Sequence, residues 1–83
     1  MPEELVGEVT DFFSRPVVAG IRLSRDVKAG DRLHIKGHTT DLEFLLESMQ
    51  VMNQPVQEAK SGTDIGVKAP DRCRRGDKVY RVV

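Results

Sequence analysis

Eighty-three residues supply enough chain for one core and no more, so a single domain over residues 1–83 is expected. An apolar fraction of 39% and a charged fraction of 31% exclude a disordered tail, and 13 basic against 13 acidic side chains exclude nucleic-acid binding driven by bulk charge. One cysteine, Cys73, excludes an internal disulfide; the acidic start Met1-Pro2-Glu3-Glu4 lacks a signal peptide's features and no stretch has bilayer length, so a cytoplasmic protein with no membrane partner is expected.

Residues 5–13 are rich in β-formers and predict a first strand, with Gly7 marking a bulge or a close backbone approach. Ser14-Arg15-Pro16 reads as a turn. Residues 17–23 then alternate, Val17, Ala19, Ile21 and Leu23 on one face against Gly20, Arg22 and Ser24 on the other, which completes a hairpin. Lys28-Ala29-Gly30-Asp31 is a turn signal, because glycine accepts a positive φ and aspartate bonds back to local backbone. The following strand turns Leu33 and Ile35 inward and Arg32, His34 and Lys36 outward.

Residues 40–53 carry a conflict. Leu42, Leu45, Leu46 and Met49 have helical spacing, and Thr40 with Glu43 forms a capping-box pattern before them. Read as a strand, the same segment changes parity and needs a bulge near Glu47-Ser48. Asn53-Gln54-Pro55 ends the element on either reading. Ser61-Gly62-Thr63-Asp64 predicts another turn, into the strand Ile65-Gly66-Val67-Lys68. Arg75-Gly76-Asp77-Lys78-Val79 repeats Gly30-Asp31-Arg32-Leu33, which predicts one turn-into-strand device used twice. The inward set expected from these parities is Val9, Val17, Ala19, Ile21, Leu23, Leu33, Ile35, Leu46, Ile65, Val67 and Val79.

Charge alternates in blocks: residues 1–14 carry −4, 15–38 carry +4, 39–59 carry −4 and 60–83 carry +4. Two readings follow: strands of opposite sign pair across the sheet, or one basic face stands apart. Arg72, Arg74 and Arg75 within four residues are the candidate RNA-phosphate contacts, since guanidinium forks grip phosphate oxygens, with Lys36 and Lys78 as neighbours. Catalytic chemistry has no foothold. There is no Gly-x4-Gly-Lys-Ser/Thr loop to hold a nucleotide, and His34 and His38, though spaced H-x3-H, lack partners for a metal. Cys73 lies among arginines that would lower a thiol pKa, but no base accompanies it, and Arg75-Gly76-Asp77 reads as a turn, not an adhesion tripeptide. No cofactor is expected.

The order of these segments resembles a known family. The Val6-Gly7-Glu8-Val9 opening, the Val17-Val18-Ala19-Gly20-Ile21 hairpin strand and Val27-Lys28-Ala29-Gly30-Asp31-Arg32-Leu33 come first. Glu47-Ser48-Met49-Gln50, Glu58 to Val67 and Arg74-Arg75-Gly76-Asp77-Lys78-Val79-Tyr80 follow in order. Together they are similar to domain 2 of elongation factor Tu, to stand-alone translation elongation factor-like proteins, and to the C-terminal barrel of collagenase-like peptidases. The resemblance implies an all-β fold, a small closed six-stranded antiparallel barrel, and a bulged strand rather than a helix at residues 41–53, with Phe44 partly exposed. It implies a non-catalytic module contacting tRNA, rRNA or the ribosome. The alternative it implies is a protein-interaction domain assisting a separately encoded peptidase-like enzyme.

Overall fold

The computed structural model describes residues 3–14 and 17–82, so Arg15 and Pro16 of the expected first turn lie outside the described residues. Ten strands follow in order: β1 (Glu3–Ser14), β2 (Val17–Leu23), β3 (Val27–Lys28), β4 (Arg32–Lys36), β5 (Asp41–Leu45), β6 (Met49–Val51), β7 (Gln54–Val56), β8 (Glu58–Ala59), β9 (Asp64–Lys68) and β10 (Lys78–Val82). Eight form one antiparallel sheet in the order β5-β4-β10-β1-β2-β9-β6-β7, and β3 pairs with β8 as a separate ribbon. The all-β expectation holds, with no helix among the described residues. The six-stranded closure is not what the hydrogen bonds show: the main sheet has eight strands and ends at β5 and β7.

β1 shows how sequence shapes this sheet. Its register shifts once between Leu5 and Gly7 and again between Val9 and Asp11. Each shift inserts one residue and moves the inward parity by one, so Val6 and Val9 are buried and Phe12 packs against the core. Gly7 sits where the strands come close. A Cβ there would lie 2.7 Å from the Arg22 carbonyl oxygen and 2.9 Å from Ile21 Cγ2, which explains the absence of a side chain.

The turn device appears three times. Gly30, Gly62 and Gly76 each stand third in a turn with φ of +100°, +84° and +90°. The amide of the next residue, Asp31, Thr63 or Asp77, donates to the carbonyl of Lys28, Lys60 or Arg74 at 3.1, 3.2 and 3.1 Å. Each turn also docks reciprocally on a buried apolar residue elsewhere. Gly30 N–H donates to Leu46 while Leu46 donates to Asp31; Leu23 serves Gly62 and Thr63 in the same way, and Val9 serves Gly76 and Asp77. In two of the three, the aspartate carboxylate also accepts from the first residue's amide, Lys28 at 3.0 Å and Arg74 at 2.8 Å. These turns satisfy their own backbone groups and fasten the strand ends.

Residues 41–53 settle as strands. Thr40 caps no helix; its carbonyl accepts from Gly37 N–H at 2.8 Å. β5 pairs with β4, then the chain leaves at Leu46–Ser48 and reappears as β6, paired with β9 and β7 on the far side of the sheet. The expected bulge is therefore a full crossing, and it buries Leu46 and Met49 while Leu45 stays 48% exposed. Phe44 is half-buried, as expected. The element ends here as expected, β6 closing at Val51: the chain reverses at Met52 and Asn53, both at positive φ as a two-residue hairpin loop requires, and Gln54 and Pro55 begin a new strand, β7. Proline is tolerated there because β7 ends the ladder.

Every expected core residue is buried except Val17, half-buried at the first position of β2. Val6, Val27, Met49, Ala59 and Cys73 complete the core.

Candidate functional site

The basic loop, residues 69–77, lies beside the turn that joins β4 to β5. Cys73 points into the core at 2% exposure, and the exposed Arg72 and Arg74 flank it. Both guanidinium groups are left in solvent on either side of the buried thiol. Beneath them, Asp77 is buried and holds the Arg74 amide at 2.8 Å. Gly37 makes room for that carboxylate, since a Cβ at residue 37 would lie 1.9 Å from Asp77 Oδ1. Arg72 and Arg74 line a cleft of about 280 Å³ with Thr39, Thr40 and Asp71, whose Oδ1 accepts from the Arg72 amide at 2.7 Å.

The other three candidates are held by carboxylates. Lys36 and Lys78 are register partners across β4 and β10, yet Lys36 Nζ lies 2.8 Å from Glu3 and Lys78 Nζ 2.6 Å from Glu8. Those hydrogen bonds push both lysine pKa values up. Arg75 reaches Asp11 at 3.3 Å. With Arg32–Glu43, these contacts join blocks of opposite sign as the charge pattern predicted, whereas Arg22–Asp64 joins two positive blocks. Among the described residues, Lys28, Lys68, Arg72 and Arg74 are the lysines and arginines with no carboxylate within 4.0 Å.

One sequence reading is corrected here and another is borne out. Arginine neighbours do not activate Cys73: burial, then the charge of Asp77, pushes its thiol up to about 11, so it is an inert core residue. Arg75-Gly76-Asp77 is a turn whose aspartate is buried and cannot be offered to a receptor.

Strand alternation turns His34 outward, and no local pattern points to its partners. Its Nδ1 lies 2.5 Å from Glu3 and its Nε2 contacts Asp41. Glu3, His34 and Glu43 place ligand atoms within 4.8 Å of one another, and His38 is not among them. Both ring nitrogens already face carboxylates and Lys36 competes for Glu3, so the arrangement holds an imidazolium in preference to a metal. Asp41, then Glu3, raises the His34 pKa, while Lys36, then His34, lowers that of Glu3. A folded imidazole that keeps its proton to higher pH contributes fully below about pH 6.5 and loses that contribution as pH rises through its folded value. Glu3 sets the opposite limit, contributing above about pH 4.5 and fading as pH falls. The melting temperature of the wild type should therefore exceed that of His34→Gln by more at pH 6 than at pH 9; an equal gap at both would remove the imidazolium from the account.

A groove of about 340 Å³ is lined by Leu5, Gly7, Thr10, Leu23 and Ser24, together with the Glu8–Lys78 pair and Arg22. No helix among the described residues is long and apolar enough to cross a membrane.

Comparison with known proteins places this architecture. No protein-family profile matches the chain. An uncharacterised protease of Methanocaldococcus jannaschii is 41% identical over 76 residues, a match that covers 90% of this chain and 19% of that protein. The chain thus spans about a fifth of its relative's length. The fold is that of a peptidase C-terminal domain. In Geobacillus thermoleovorans, the C-terminal domain of a protein described as a U32 peptidase superimposes with a TM-score of 0.89 at 12% identity, covering 96% of this chain and 93% of that domain. Its selenomethionine variant gives 0.86 at 13% identity, covering 92% and 96%. None of these three is a translation factor, and the stand-alone elongation factor identity finds no support in them.

Proposed function

We propose that this chain is a non-catalytic accessory domain of the kind that U32-type peptidases carry at their C-terminus, and that it works by binding a protein partner. The observation that carries the reading is the 41% identity over 76 residues with a protease of which it matches only 19%. A module that recurs as a small part of a larger protein is suited to positioning or recognition. The fold match to an isolated peptidase C-terminal domain supports the same reading. Burial keeps the Cys73 thiol protonated and two carboxylates hold His34, so neither supplies half of a nucleophile–base pair.

The translation-factor reading, with tRNA, rRNA or the ribosome as partner, rests on fewer cations than its five residues suggest. Lys36, Lys78 and Arg75 are occupied by Glu3, Glu8 and Asp11. A pull-down from the source cell, run with and without RNase, separates the two. An RNase-resistant partner identified by mass spectrometry as a U32-type peptidase is the expected result. A catch that disappears with RNase and contains ribosomal components would overturn the accessory reading.

A further inference from the structure

We propose that the cleft between the β4–β5 turn and the basic loop is a phosphate-binding site formed by Arg72, Arg74, Thr39 and Thr40. This goes beyond the accessory-domain reading and does not depend on it. Three observations carry it. First, the two arginines are presented rigidly: Cys73 between them is anchored in the core, Asp77 clamps the Arg74 amide, and Gly76 is bonded to Val9 at 2.8 Å. A guanidinium pair fixed through its backbone loses less freedom on binding than one on a floppy loop. Second, neither arginine has a carboxylate partner among the described residues, whereas eight of the other lysines and arginines do. Third, the cleft is also lined by Thr39 and Thr40, two hydroxyl-bearing residues, the first exposed and the second buried.

Two planar forks and two hydroxyls suit a tetrahedral group with three or four acceptor oxygens better than a carboxylate with two. A cleft of about 280 Å³ has room for one phosphate and a small attached group. Asp71 lines it too and opposes an anion, which makes the site weak and sensitive to salt.

Titration of the 15N-labelled chain with inorganic phosphate at low salt, followed by NMR, tests the site. Amides of Thr39, Thr40, Arg72 and Arg74 should shift together, and Arg72→Ala with Arg74→Ala should weaken binding at least tenfold. Lys28→Ala with Lys68→Ala removes the same charge from the other two unpaired cations and should leave binding intact. Asp71→Asn should strengthen it several-fold. Shifts that persist in the double arginine variant, or that fall equally in the lysine variant, would overturn the site; acetate binding as well as phosphate would overturn the phosphate assignment. A short single-stranded RNA forms the second arm. RNA shifting the same amides in competition with phosphate identifies a phosphodiester source, and phosphate binding without RNA binding identifies a phosphate monoester.

Discussion

Ile21→Ala and Ile35→Ala should each remove about 2–5 kcal/mol of unfolding free energy, a large share of the 5–15 kcal/mol typical of a native domain. Both side chains are fully buried, Ile21 on β2 between β1 and β9 and Ile35 on β4 between β10 and β5. Truncation leaves a cavity that the sheet cannot close by local movement, because each strand is hydrogen-bonded to a neighbour on both sides. The cost should appear in urea titrations as a shifted midpoint at unchanged slope. Melting temperatures within about 2 °C of wild type for both variants would show that these strands face the other way.

Gly37→Ala should destabilise the domain by about 1–3 kcal/mol, the range of an overpacked site. The sign is the informative part. Replacing a glycine whose backbone suits alanine ordinarily stabilises by about 0.4–1 kcal/mol, through the unfolded chain. Gly37 is not among the glycines with positive φ, so its backbone does not forbid alanine. What forbids it is Asp77 Oδ1, 1.9 Å from where the Cβ would sit, in a buried carboxylate already engaged with the Arg74 amide. The loop must move, and Arg72 and Arg74 with it, so phosphate affinity should fall along with stability. Thermal melts and the NMR titration on the same variant measure both. A Gly37→Ala protein that is more stable than wild type would mean that Asp77 yields without cost.

Local chemistry carried much of this fold in plain view. The three Gly turns, the β2 and β4 parities and the Gly7 bulge each depend on residues within a few positions of one another, so periodicity and turn preference could read them. A signal for the burial of Cys73 was also present. Aligning the three turns sets Cys73 opposite Val27 and Ala59, each three residues before its glycine, and all three are buried. Residues 42–49 misled because their helical spacing comes from a chain that leaves β5 after Leu45 and crosses to β6. Two short strands in different places on the sheet mimic one helical face.

What the amino-acid sequence determined by itself is where the chain turns, which alternating residues face inward, and that no nucleotide loop is present. What only the tertiary structure decided is which cations remain available. Lys78 is neutralised by Glu8 seventy positions away and Arg75 by Asp11 sixty-four positions away. Those pairings follow from β10 lying beside β1, a strand order that no local pattern encodes. Coulomb attraction acts on distance in space, so five candidate cations became two once the sheet had brought their carboxylates within reach.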